Sequence, residues 1–175
     1  MERKPHIGTF HTRSVNKLRI LVEASGLGIK TPQTIITRTK KELLSKANEP
    51  MITKAIYEGF KPESIGKFIS YTEKVGFDDI PDQFYPSLFQ EKIEKEADIR
   101  IFYLSGFFFS MAIRSQSDEQ TKTDFRKYLK ESGNRCFPFS LHNELEFKLD
   151  ALMKKIGLNT GSIDMIMTKD GDFIF

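Results

Sequence analysis

Two stretches of the chain fold back on themselves over short turns. Residues 98–104 read as a strand, Ser105-Gly106 closes a hairpin, and residues 107–113 return as a second strand. Further on, Ile163, Met165 and Met167 alternate with Asp164, Ile166 and Thr168. Lys169-Asp170-Gly171-Asp172 then supplies a turn into Phe173-Ile174-Phe175. Strands joined this closely are antiparallel, because a parallel pair needs a crossover of a dozen or more residues.

The remaining elements are short and mixed. Ser14 is placed to cap a helix whose Leu18, Leu21, Val22 and Ser25 share a face and which stops at Gly26. Thr34-Ile35-Ile36-Thr37 is a short β-branched strand, Leu43 and Leu44 fall on a short helix, and residues 51–56 form another strand. Residues 68–71 resemble a strand, residues 77–86 read as irregular, and residues 88–93 as a strand ahead of a charged turn. Leu145, Leu149, Leu152, Met153 and Ile156 form a helical stripe that Gly157 ends. Helices and strands without a βαβ rhythm indicate an α+β fold with largely antiparallel sheets. Its expected division is a lead-in over 1–13, a first lobe over 14–87 and a second over 88–175.

With 39% hydrophobic content in 175 residues, the chain can bury one sizeable core or two small lobes sharing a cleft. The net charge of +3 comes from Lys and Arg interleaved with Asp and Glu, a mixed surface rather than a nucleic-acid stripe. Cys136 is the single cysteine, so neither a disulfide framework nor a cysteine zinc site can form; a packed thiol in a reducing compartment is expected. The N-terminus lacks an apolar signal region and no run approaches membrane-spanning length, so a cytoplasmic protein with no membrane partner is expected.

Catalytic templates based on His, Cys or Ser do not fit. His6, His11 and His142 lack metal-ligand spacing, and no Gly-x-Ser-x-Gly or Walker loop is present. What stands out is a scatter of charged residues set in strands: Lys54 among Ile52, Ala55 and Ile56, Glu91 beside Gln90, Arg100 between Ile99 and Ile101, Arg126 after Asp124-Phe125, and Asp164 between Ile163 and Met165. Singly, each suits an edge-strand charge or a local salt bridge. Together they suit one task, in which Lys and Arg neutralise polyphosphate oxygens while a carboxylate holds magnesium.

Their order along the chain resembles ATP-grasp ligases. Asn16-Lys17-Leu18-Arg19, Gly26-Leu27-Gly28-Ile29 and Thr31-Pro32-Gln33-Thr34 are similar to the entry of that family's nucleotide-binding region, and Ile52-Thr53-Lys54 to its phosphate-binding strand. Phe89-Gln90-Glu91-Lys92-Ile93 resembles the adenine hinge and Asp98-Ile99-Arg100 the strand after it. Asp124-Phe125-Arg126-Lys127-Tyr128 and Gly161-Ser162-Ile163-Asp164 complete the series. Within the family the likeness is to RimK-like ligases, and among those to the graspetide peptide maturases. It implies an ATP-grasp core of two lobes and an enzyme that uses ATP and Mg2+ to activate Asp or Glu carboxylates of a ribosomal precursor peptide as acyl phosphates, forming ester or amide cross-links.

By that resemblance Lys17 and Lys54 would bind phosphates, Gln90, Glu91, Lys92 and Ile93 the adenine edge, and Asp98 would lie near the nucleotide. Arg100 and Arg126 would act on the phosphates or the acyl phosphate, and Asp164 would ligate magnesium. The family's return strand carries further metal ligands beyond the point matching Phe175, and its N-terminal domain precedes the matched region. A fragment with half a metal site, impaired in turnover, is therefore expected. The precursor peptide is the expected partner, nucleic acid is not, and a homo-oligomer is compatible with the reading. The alternative is a non-catalytic ATP- or peptide-binding module.

Overall fold

Strand pairing sorts the chain into two antiparallel sheets. The computed structural model describes residues 7–8, 16–47, 50–56, 72–114 and 135–175. The expected strand at residues 68–71 lies outside them, as does Arg126. Helix α1 (Lys17–Gly26) comes first, followed by β1 (Thr34–Thr39), α2 (Lys40–Lys46), β2 (Met51–Lys54) and β3 (Glu73–Lys74). A 3-10 turn (Phe77–Asp79) leads to β4 (Gln83–Glu91), β5 (Lys95–Leu104), β6 (Phe107–Arg114) and β7 (Arg135–Phe139). Helix α3 (Asn143–Lys155), β8 (Thr160–Thr168) and β9 (Phe173–Ile174) close the chain. Neighbours run β1-β4-β2-β3 in the first sheet and β7-β6-β5-β8-β9 in the second. This is the α+β architecture expected. Among the described residues, no helix is long and apolar enough to cross a membrane.

Alternation along the strands gives each sheet a core face and a second face. In the first sheet Ile35, Met51 and Phe89 pack with Leu43 of α2, whereas Leu44 is exposed. In the second, Ile99, Ile101, Tyr103, Ile163 and Met165 pack against Leu149, Leu152 and Met153 of α3. The hairpins follow their sequence signals. Ser105 and Gly106 both take positive φ (46° and 94°), the pairing that a two-residue turn needs to match strand twist. In the second hairpin, Gly171 at φ 83° lets its N–H reach Thr168 O at 3.0 Å.

Several local expectations differ from what forms. The first-lobe border at 87/88 cuts β4, which pairs with β1 and β2 along its length, and the change of sheet falls at residues 92–94. Pro86 made this stretch read as irregular, yet it sits in a register shift where Thr37 faces Ser87 and Thr39 faces Gln83. A bulge is one of the few sheet positions that tolerate proline. Helix α1 is capped by Asn16, whose side chain accepts from the Leu18 and Arg19 amides; Ser14 lies outside the described residues. Its packed stripe is Ile20, Ala24 and the following Leu27, with Val22 turned to solvent, and it joins the second sheet's core. Cys136 is exposed on β7, not packed.

Candidate functional site

A pocket of about 590 Å³ opens where the two sheets meet, and four of the expected site residues line it: Lys17, Lys54, Gln90 and Asp164. Each reaches it by a different route. Lys17 and Ile20 come from the first turn of α1. Lys54 stands at the end of β2, directly across from Leu88 of β4, and Leu88 and Gln90 project from the same face of β4 two residues apart. Phe89, between them, points to the core on the other side. The period of two thus separates a packing residue from two pocket residues.

The opposite wall is β8. Strand β9 pairs only with Ile166 and Met167, so residues 160–165 of β8 have no strand on that side among the described residues. Residues from both faces of β8, Ile163 and Asp164 included, therefore line the pocket, as an open edge allows. Gly161 keeps this edge close to α3: a Cβ there would stand 3.2 Å from the Met153 methyl. Leu152, Ile156 and Leu158 complete a wall that is apolar apart from its lysines, Gln90, the β8 polar groups and the backbone. Apolar surface with a few placed polar groups suits the flat base of a nucleotide, and two ammonium groups suit its phosphates.

Gln90 is only 4% exposed, and its Nε2 donates to Thr34 Oγ1 at 3.0 Å. The Thr34 hydroxyl in turn donates to Pro32 O at 3.0 Å. After Gln90 the chain leaves the first sheet under firm backbone control: Glu91 N–H bonds Gln33 O at 3.0 Å and Lys92 N–H bonds Pro50 O at 2.7 Å. Glu91, Lys92 and Ile93 lie beside the pocket without lining it. The Glu91 and Lys92 amides are thus committed to the protein's own carbonyls.

The other expected residues are placed apart. Asp98 is buried in a two-oxygen contact with Lys95, whose Nζ donates at 2.9 and 2.7 Å. Arg100 and Asp164 are cross-strand partners on β5 and β8, with Nε and Oδ1 3.8 Å apart on the face away from the core, and both are about half exposed. The sequence reading missed Lys95, Thr34 and the apolar wall. The signal for the wall was present in the alternation of Leu88 and Gln90, whereas the Gln90–Thr34 contact joins residues 56 apart and has no local mark.

As a metal position, Asp164 is a single carboxylate. No group of three or more His, Cys, Asp or Glu side chains that would hold a metal occurs among the described residues. Magnesium is commonly held by one or two carboxylates together with substrate phosphates. Asp164 could supply one such carboxylate at the pocket, and the described residues do not form a cage of their own.

No family model matches the chain, and no curated protein does either. Solved structures do. An ATP-grasp ligase associated with ribosomal peptides from Chryseobacterium gregarium, solved with ADP and a leader and core peptide, is 26% identical with a TM-score of 0.74 over 91% of this chain and 50% of its own. The macrocyclase MdnC of Microcystis aeruginosa, bound to its precursor peptide MdnA, is 29% identical with a TM-score of 0.73 over 91% and 51%. The VanG D-Ala:D-Ser ligase of Enterococcus faecalis, at 17% identity and a TM-score of 0.56 over 91% and 50%, shares the fold alone. The chain spans about half the length of the first structures it matches. Its two antiparallel sheets with a pocket at their junction have the ATP-grasp fold, and the chain is similar to ATP-grasp ligases associated with ribosomal peptides.

Proposed function

We propose that this chain forms the nucleotide-binding core of an ATP-dependent carboxylate ligase acting on a ribosomal precursor peptide. The observation that carries the reading is the convergence of Lys17, Lys54, Gln90 and Asp164 from α1 and both sheets on one largely apolar pocket. Bound there, ATP would place its base against Leu88 and Gln90, beside the hinge, and its phosphates toward Lys54 and Lys17. Magnesium would supply charge neutralisation at the phosphates, with Asp164 as one ligand. Arg100, 3.8 Å from Asp164, would bind the oxygens of the transferring phosphoryl group or of the peptide carboxylate, and a planar guanidinium suits either. Arg126 has the same assignment from the family pattern.

The reaction is a carboxylate attack on the γ-phosphorus that releases ADP and leaves an acyl phosphate on the peptide. A Ser/Thr hydroxyl or Lys amine then attacks the acyl carbon, loses its proton, and phosphate departs, leaving an ester or amide. The protein's contribution is to hold the reacting groups together and stabilise charge as it spreads over the phosphoryl oxygens.

The test is calorimetric ATP binding followed by phosphate release with an acidic peptide present. Saturable ATP binding with peptide-dependent phosphate release supports the ligase. ATP binding with no release under any peptide tried favours a nucleotide-binding module, and no ATP binding overturns the assignment.

A further inference from the structure

We infer that the face of the second sheet turned away from α3 is a specificity surface for the peptide. It accepts an aromatic or large aliphatic side chain two positions from the reacting carboxylate. The inference rests on the peptide-ligase reading of the pocket and adds a requirement on the peptide's sequence.

Sheet register builds this face. Ile99, Ile101 and Tyr103 of β5 are buried in the core with α3, and Phe108 of β6 packs against the same core. The residues between them point to the other side. There Arg100 lies between Asp164 of β8 and Met111 of β6, and Phe102 lies between Ser162 and Phe109. A third row places Leu104 beside Phe107. The first row carries the charges and the next two the aromatic rings. Phe102, Phe109 and Phe107 are 46%, 61% and 68% exposed, and Met111 44%. The Phe102 and Phe109 rings stand 6.4 Å apart, tilted by 37°. Large apolar side chains gathered on one face beside polar ones mark a binding surface.

Two observations name its occupant. Ser162 and Asp164, at the β8 ends of the first two rows, also line the pocket, so the aromatic surface begins at the pocket wall. In the opposite direction the row after Arg100 is Asp98 with Ile113, and both are buried. A peptide whose carboxylate meets Arg100 therefore has open surface toward Phe102. The second observation is size. Three partly exposed rings and a methionine present on the order of 400 Å², at 150–250 Å² for a whole aromatic side chain. A stable dimer buries about 800 Å² per partner. The patch suits a few residues of extended peptide better than a second copy of the chain. Spacing then selects the residue that is read. An extended peptide sets alternate side chains on one face about 6.6 Å apart, the same step that β5 takes from Arg100 to Phe102. With its carboxylate at Arg100, the peptide lays the side chain two positions away over Phe102 and Phe109.

The experiment uses the whole chain and blocked peptides of Gly and Ser around a single Glu. One peptide carries Phe two positions before the Glu, one two positions after it, and one carries no Phe. Calorimetry measures peptide and ATP affinity in wild type, Phe109→Ser, Phe102→Ser and Arg100→Gln. One of the two Phe peptides should bind wild type about fivefold tighter than the Phe-free peptide, the scale of one aromatic contact. Which one does so gives the direction of the bound chain. Phe109→Ser and Phe102→Ser should each remove that gain while ATP affinity stays at the wild-type value. Arg100→Gln should weaken all three peptides by one factor and keep the Phe gain. Phe peptides that bind wild type within twofold of the Phe-free one overturn the inference, as does a gain that survives in Phe109→Ser. Sedimentation showing a wild-type dimer that Phe109→Ser dissociates gives the face to a second copy and also overturns it. ATP binding without a Phe gain overturns this inference and leaves the ligase reading standing. A wild type that binds no ATP overturns that reading, and this inference with it.

Discussion

At the scale of single residues, the strongest expectation attaches to Lys54. It ends a strand whose Met51 and Ile52 are buried, so its position is set by the sheet rather than by its own flexibility. Lys54→Met keeps the stem and removes the charge, and should weaken ATP binding by about 1.5–3 kcal/mol, the range for a hydrogen bond to a charged group. Calorimetry checks this, and unchanged affinity removes Lys54 from the phosphate site. A second residue-scale prediction concerns stability. Tyr103 is buried in the core and donates its hydroxyl to Asp150 Oδ1 at 2.7 Å. Burial first, and the Asp150 carboxylate second, push the phenol up to about 12. Asp150 is held below the ordinary carboxylate value chiefly by Lys154, and then by Tyr103. A depressed carboxyl contributes stability above its unfolded pKa and loses it as pH falls through the folded value. Denaturant melts of Asp150→Asn should therefore show a less stable protein at neutral pH that loses less on acidification than wild type. An identical acid limb in the two proteins would exclude Asp150 from the acid response.

At the scale of elements, the junction at residues 92–94 is where β4 hands the chain to the second sheet. Lys95 and Asp98 fix its far side: Lys95 is buried, its ammonium bridges both Asp98 oxygens, and β5 carries a register shift between Lys95 and Ala97. Removing one member of a buried pair leaves the other charge without its partner and costs about 3–5 kcal/mol, whereas replacing both by apolar residues is often neutral. Lys95→Met alone should be severely destabilising, and Lys95→Met with Asp98→Leu should recover most of the loss in urea melts. Two single variants that merely add in the double would show that the pair is uncoupled. This contact also shows where the sequence was readable. The hairpins, the α3 stripe and the alternation of β8 were legible because turn chemistry and period are local properties. The run of β4 through Pro86 was not, since it depends on a bulge between partners about fifty residues apart. The face of α1 was half legible, because the core that buries Ala24 and partly buries Ile20 is built mainly by residues more than seventy positions later. Of the site, Lys17, Lys54, Gln90 and Asp164 carried visible sequence signals and do meet in one pocket, whereas Thr34, which orients Gln90, comes from another strand.

At the scale of the whole molecule, the pocket belongs to neither sheet alone. Lys54 and Gln90 come from the first, Asp164 from the second, and Lys17 from a helix that packs on the second. A polyphosphate lying across this junction would meet two ammonium groups and one carboxylate, and on the proposed reading the carboxylate would set the sign of the metal response. Without metal, Asp164 would repel the phosphates, moderated by Arg100 at 3.8 Å and by its own half exposure. Near a surface such a repulsion is worth up to about 1 kcal/mol. With magnesium between them, the same carboxylate would become attractive. Asp164→Asn should therefore tighten ATP slightly when magnesium is absent and flatten the gain when magnesium is added, so its two binding curves should converge where those of the wild type separate. Calorimetric titrations with and without magnesium, at matched ionic strength so that screening is constant, measure both effects. A variant that kept the wild-type magnesium gain would remove Asp164 from the metal's ligands. One that weakened metal-free ATP binding would reverse the expected sign and place the carboxylate on a hydrogen bond to the nucleotide instead.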